Sequence, residues 1–229
     1  MNKKSSLKKL IILDFCETLI KFQTADRFID FVCVEKNIFL HRLICLIQVF
    51  LEKIKFTSII YKLFPKFNFN KRIKLLSIIG IDRKYLNLKA ETFNNLLIDN
   101  MVSEVREILN KSLKNNDHVI IVSGGYEIYL SEFSNYHNIK NLIGTKIMFR
   151  NNKATGLVNG LDCMHENKII LLENYIEKNN IKYKTSVVYS DSNSDIPLFK
   201  WADKGYVISK EFPQNWVKSY NLNEIVWND

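Results

Sequence analysis

The chain has 229 residues, enough for one large domain or for a core with an inserted cap, and its 47% apolar content can fill a sizeable interior. Only 7 Gly and 3 Pro argue against a loop-rich or low-complexity chain, and the four scattered cysteines (Cys16, Cys33, Cys45, Cys163) form no C-x-x-C pair, which argues against a zinc site or a disulfide framework. A formal net charge of +9 favours anionic partners such as phosphorylated metabolites, nucleic acid or anionic lipid headgroups, although a lysine-rich composition accounts for part of it.

Residues 1–13 begin basic and end in Leu-Ile-Ile-Leu. That apolar run is too short for the core of a signal peptide, and no small-residue cleavage site follows it. Residues 8–14 read instead as a buried first strand ending in an acid. With reduced, scattered cysteines, the expected location is the cytoplasm. Over residues 24–110 the apolar positions recur at helical spacing with few breakers, so several helices are expected. Val-Ile-Ile-Val at 119–122 is a second buried strand, ending in Ser123, Gly124 and Gly125, and a helix follows over 126–136. Residues 146–158 read as a hairpin around Arg-Asn-Asn-Lys, and 166–180 as a helix. Residues 186–189 form a third buried strand running into Asp-Ser-Asn-Ser-Asp at 191–195. A fourth covers 205–208, with Trp201 and Ala202 in the helix just before it. Strands alternating with helices predict an α/β fold with a parallel sheet, whose ligand lies beyond the carboxyl ends of the strands.

Those strand ends carry Asp14 and Thr18, then Ser123 and Gly124, then Asp191 and Asp195, while Lys168 starts a helix. Singly, each has a commonplace role as a cap, a turn residue or a solvated lysine. Together they are carboxylates, a hydroxyl, a cation and glycine turns converging on one sheet edge. Carboxylates at such density repel unless a hard cation lies among them, and Mg²⁺ suits a site of few carboxylates that keeps its waters. Ser, Lys and turn N–H groups suit phosphate oxygens.

This set resembles the haloacid dehalogenase superfamily, and within it the phosphoserine-phosphatase-like branch. The family pattern is D-x-D-x-T after a strand, a Ser or Thr after a second strand, a Lys, and an acidic D-x-x-x-D or similar. All four occur here in order from Asp14 to Asp195. The resemblance implies a Rossmann-like core over residues 1–21 and 111–229 with a helical cap inserted at 22–110. It implies an Mg²⁺-dependent phosphatase with Asp14 as nucleophile, forming an aspartyl-phosphate. By position, the carbonyl of Cys16 and the carboxylate of Asp191 would join Asp14 around Mg²⁺, with Asp195 supporting the metal. Ser123, Gly124 and Lys168 would hold the phosphoryl oxygens. Thr18 would brace the turn at the phosphate site.

Two positions depart from the pattern. The second Asp of the first motif, the family's general acid–base, is Cys16 here. Either the thiol donates the proton, or the substrate has a good leaving group or its own hydroxyl, or Glu17 or a cap residue substitutes. Loss of catalysis, leaving a protein that binds phosphorylated ligands, is a further alternative. Nine residues after the nucleophile, where phosphoserine phosphatases usually carry Glu, stands Gln23. A neutral amide suits hydroxyls. The expected substrate is therefore a small phosphomonoester, favoured as a sugar phosphate on a surface-polysaccharide intermediate, with a phosphoserine-phosphatase-like enzyme as the alternative. Gln23, Thr24 and Arg27 are assigned to its selection.

Within the cap, residues 38–69 are rich in Ile, Leu and Phe, with Arg42, Lys53, Lys55, Lys62 and Lys66 interspersed. No run is long enough to span a bilayer. The expectation is that these apolar residues form the cap's own core. Peripheral contact with the inner face of a membrane, or a dimer contact, is the alternative, and the oligomeric state is left open. A nucleic-acid partner is not expected, because neither a groove-reading helix nor an aromatic stacking signature is present.

Overall fold

The computed structural model describes residues 8–64 and 68–228. The basic segment at 1–7 and Lys66 lie outside the described residues.

Strand β1 (Lys9–Leu13) is buried after its first residue and is the centre of the sheet. Successive side chains of a strand point to opposite faces. Ile11 and Leu13 accordingly enter one apolar cluster, and Leu10 and Ile12 the other. A continuous apolar run is what a parallel strand covered on both faces requires. The helical segment follows: α1 (Thr24–Cys33), α2 (Ile38–Lys53), α3 (Phe56–Leu63), α4 (Phe69–Leu75), a single 3₁₀ turn (Leu76–Ile78), α5 (Arg83–Asp99) and α6 (Ser103–Lys114). The chain then forms β2 (His118–Tyr126), α7 (Glu127–Tyr136), β3 (Asn141–Thr145), the hairpin β4 (Ile147–Arg150) and β5 (Lys153–Val158), and α8 (Asn167–Lys178). It ends with β6 (Thr185–Ser190), α9 (Ile196–Trp201), β7 (Lys204–Lys210), α10 (Asn215–Ser219) and β8 (Asn223–Trp227).

The sheet order is β3-β2-β1-β6-β7-β8, and every pairing is parallel. The α/β class with a parallel sheet is as expected. Two of the six strands, β3 and β8, escape the sequence pattern. Strand β3 contains Gly144, where a Cβ would come within 2.9 Å of Leu130 and 3.1 Å of Glu127 Cα, so α7 lies too close for a side chain. Strand β8 is an edge strand, largely half-buried, with Trp227 as its anchor.

The chain leaves and rejoins the sheet side by side: Lys21 N–H donates to Asn100 O (2.9 Å), and Val102 N–H to Leu19 O (3.0 Å). Helix α6 then lies on β2 and β8, so the expected cap limit at residue 110 falls inside a helix that covers the sheet. One apolar cluster joins cap and core. Phe28 of α1 and Phe93 of α5 pack against Tyr129 of α7, with ring centroids 5.0 and 5.5 Å away.

The expectation that the apolar side chains of residues 38–69 are buried inside the cap is not met by the described residues on α2 and α3. Helix α2 buries only Ile44 and α3 only Thr57. These two helices have too few neighbours to cover them: they touch each other, α4, the 3₁₀ turn and the end of α1.

Candidate active site

Asp14 follows β1 directly, and its N–H donates to Tyr189 O of the neighbouring β6 (2.9 Å). The central strand thereby points the carboxylate out of the sheet's carboxyl edge. Lys168, in the first turn of α8, places Nζ 3.1 Å from Asp14 Oδ1 and 2.6 Å from Asp195 Oδ2. Ser190 Oγ donates to that same Asp195 oxygen (2.6 Å), while Asp195 Oδ1 is buried without a partner. Asp195 is fixed by a 3₁₀ turn (Asn193–Asp195), in which Ser194 N–H donates to Ser192 Oγ (3.2 Å). Proline in the first turn of α9 suits the helix start that follows. Thr18 bridges β1's loop to β6's: its hydroxyl donates to Asp191 Oδ1 (3.0 Å) and accepts from Asp191 N–H (2.9 Å).

These groups open onto a cavity of about 340 Å³. Of the residues expected at the site, Asp14, Cys16, Gln23, Ser123, Gly124, Lys168, Asp191 and Asp195 line it. Three others do not. Thr18 is consumed by Asp191 behind the wall. Thr24 is buried, its hydroxyl paired with Cys16 Sγ (3.0 Å) and Tyr129 Oη (2.6 Å). Arg27 is exposed, with its guanidinium 4.5 Å from the Phe22 ring.

The electrostatics are those of a buried anionic site short of positive charge. Burial pushes Asp14 up to about 6 despite Lys168, with Asp195 adding to the rise. Burial and the charge of Asp14 push Asp191 up to about 8. Burial works against the charge of Lys168, yet Asp14 and Asp195 together hold it above the ordinary lysine value. Burial, then Asp14, raises the Cys16 thiol above its ordinary value, so it is protonated at neutral pH. Among the described residues no three His, Cys, Asp or Glu side chains gather as a metal cage. The residues nevertheless fit Mg²⁺. Two carboxylates that burial and neighbouring carboxylate charge hold back from ionising, and a third with a bare buried oxygen, form an oxygen donor set that suits Mg²⁺ and needs no cage.

The glycines of β2 lie in close approach to neighbouring side chains. A Cβ on Gly124 would come within 2.9 Å of Met164 Cγ, and one on Gly125 within 2.4 Å of Tyr129 Oη. Where a turn is expected, β2 runs on through both to Tyr126, with a break in register against β3.

The cavity also has walls that sequence reasoning missed. Asn68, Asn70 and Lys71 come from the cap, and Met164 and His165 from the loop before α8. Lys71 is buried, and its Nζ donates to Gly124 O (2.6 Å), Thr145 Oγ1 (3.1 Å) and Asp162 Oδ1 (2.5 Å). No local signal separates it from the other lysines of a basic cap. Glu17, with φ of 53°, lies at the rim and accepts a hydrogen bond from Gln23 Nε2.

A carboxylate beside a buried lysine at the carboxyl edge of a parallel sheet, roofed by inserted helices, is the arrangement of an α/β enzyme with a capped site. A family model of haloacid dehalogenase-like hydrolases matches residues 11–200, and the chain belongs to that family. It is 27% identical to the phosphoserine phosphatase of Methanocaldococcus jannaschii over 203 residues, 88% of this chain and 84% of that one. Among solved structures, a Bordetella pertussis protein of unknown function superposes with a TM-score of 0.77 at 15% identity, covering 96% of this chain and 99% of the other. A substrate-bound phosphoserine phosphatase gives 0.64 at 19% identity, covering 95% and 92%.

Proposed function

We propose that the protein is an Mg²⁺-dependent phosphomonoesterase working through an aspartyl-phosphate on Asp14. The observation that carries this reading is the meeting of Asp14, Lys168, Asp191 and Asp195 at one cavity with Ser123 and Gly124, from segments far apart in sequence. The phosphoserine phosphatase relative supports the same chemistry.

In this reading Asp14, the Cys16 carbonyl and Asp191 would hold Mg²⁺, with Asp195 behind them. Bound there, the ion supplies charge neutralisation to the carboxylates and to the phosphoryl group. An oxygen of Asp14 attacks phosphorus, the P–O bond to the leaving group breaks, and the leaving oxygen takes a proton. Water then attacks phosphorus, releasing inorganic phosphate and restoring Asp14. Lys168, fixed by Asp195, holds a phosphoryl oxygen together with Ser123 and the N–H of Gly124. Asp195 therefore acts first as the anchor of Lys168, beside its support of the metal.

The proton is the weak point of the site. Cys16 can donate one, but a thiol with a raised pKa is a poor base for activating water. Glu17, at the rim, is the carboxylate placed to assist. A substrate whose leaving group needs little help, or brings its own hydroxyl, suits such a site. Gln23, a neutral amide at the cavity, offers a donor and an acceptor that suit a hydroxylated phosphoester such as a sugar phosphate. The helices between the two chain crossings act as the cap that shields the reaction.

The test is phosphate release from sugar phosphates, phosphoserine and p-nitrophenyl phosphate, with Mg²⁺ and with chelator. Mg²⁺-dependent release that disappears in Asp14→Asn is expected. No release from any of them, by the wild type or by Cys16→Asp, would overturn the phosphatase reading.

A further inference from the structure

The cap presents an apolar surface of unusual extent. On α2, Phe39 is 84% exposed, Leu46 68% and Phe50 60%. With Leu43 and Ile54 they recur every three or four residues, so they share one face of the helix. Leu63 and Phe64, at the end of α3, are 66% and 59% exposed. A globular protein normally turns such a stripe inward, and contiguous apolar patches on a surface mark interaction sites.

The charges around this face are mainly positive. Arg42 and Lys53, eleven residues apart and therefore on one side of α2, border the stripe. Lys55 and Lys62 are likewise exposed, on the turn and on α3. Against these four cations residues 38–64 carry one acid, Glu52, which accepts a hydrogen bond from Asn70 Nδ2 (3.3 Å). The face is also joined to the cavity. Phe56 of α3 packs against Phe69 of α4 (ring centroids 5.8 Å apart), and Gln48 of α2 donates to Asn70 O (3.0 Å). Asn70 and Asn68 line the cavity.

We propose that the α2–α3 face docks the protein peripherally on an anionic lipid bilayer, holding the cavity mouth beside the interface. Apolar side chains ringed by cations match an acyl boundary beneath anionic headgroups. No helix among the described residues is long and apolar enough to cross a membrane, so the contact lies along the surface. A second copy is a poorer occupant, because a two-fold contact through this face would set its cations against one another.

The test is sedimentation of the full chain with phosphatidylcholine vesicles, with and without phosphatidylglycerol. The wild type is expected to partition onto the anionic vesicles and to be released by added salt. Phe39→Ser with Phe50→Ser should lower the partition coefficient by about tenfold or more. Lys53→Gln with Lys55→Gln should lower it on the order of tenfold on anionic vesicles only. Turnover of p-nitrophenyl phosphate should be unchanged in both variants, and partition is read without turnover, so it stands apart from the phosphatase test. A wild type that stays in solution beside anionic vesicles would overturn the proposal. So would a wild-type dimer, seen by light scattering, that the serine substitutions split while leaving vesicle partition unaltered.

Discussion

Replacing Cys16 with Asp should put a carboxylate acid–base group where this chain carries a thiol. In the wild type, Cys16 lines the cavity with Asp14, and its Sγ hydrogen-bonds Thr24 Oγ1 at 3.0 Å, a hydroxyl that also pairs with Tyr129. A carboxylate there would find that hydroxyl ready to bond and would reach the same cavity. A positioned general acid–base contributes about 10²–10⁴-fold, which is about 2.7–5.4 kcal/mol of barrier. The gain belongs to leaving groups that need a proton. Alkyl and sugar phosphates should therefore accelerate by at least about tenfold, while p-nitrophenyl phosphate, whose leaving group departs as a stable anion, should change little. The substitution also adds a fourth carboxylate to Asp14, Asp191 and Asp195 around one lysine. Without metal the variant should lose about 1–3 kcal/mol of stability, the equivalent of one or two pKa units of like-charge repulsion. The assay is initial rates against leaving-group pKa for both proteins, with metal-free urea melts alongside. Equal rates on alkyl phosphates in the two proteins, with p-nitrophenyl phosphate turnover retained, would refute the view that the thiol is an inadequate acid–base.

Lys71→Met should destabilise the protein by about 3–5 kcal/mol, because it strands the buried Asp162 carboxylate. Urea midpoints measure the loss, and adding Asp162→Asn should recover part of it; an unchanged midpoint in the single variant would show that the pair contributes nothing. The metal-free protein should become less stable as pH rises. Asp14 and Asp191 are raised to about 6 and about 8 from an ordinary 3.8, so the folded state binds more protons than the unfolded state across that span. Their contribution is full below about pH 4 and is lost as pH climbs through the two raised values. Melting temperatures from pH 4 to 8 without metal should fall, and Mg²⁺ should restore most at the upper end; a flat profile would contradict the charge deficit at the site.

How legible the protein is from its sequence depends on whether the signal is local. The run Leu-Ile-Ile-Leu followed by Asp14 states both the strand and the group at its end, because burial on two faces leaves a continuous apolar stretch. Ser123, Lys168, Asp191 and Asp195 are readable because each adjoins a recognisable local signal: the apolar run of β2, the first turn of α8, and the loop after β6. Strand β3 is not, since Gly144 records the nearness of α7 and carries no pattern of its own. Nor is Lys71, whose partners Gly124, Thr145 and Asp162 lie 53 to 91 residues away. Thr24 and Arg27 neighbour Gln23 in sequence, but the turn of α1 sends one into the wall and the other to solvent. The parallel sheet, the candidate nucleophile Asp14 and the acidic groups around it were already legible in the chain, because local periodicity and order along it encode them. That one oxygen of Asp195 binds Lys168, and that the apolar residues of α2 and α3 face outward, is visible in the folded chain alone. Burial and pairing depend on which distant segments arrive, and no spacing along the chain records that.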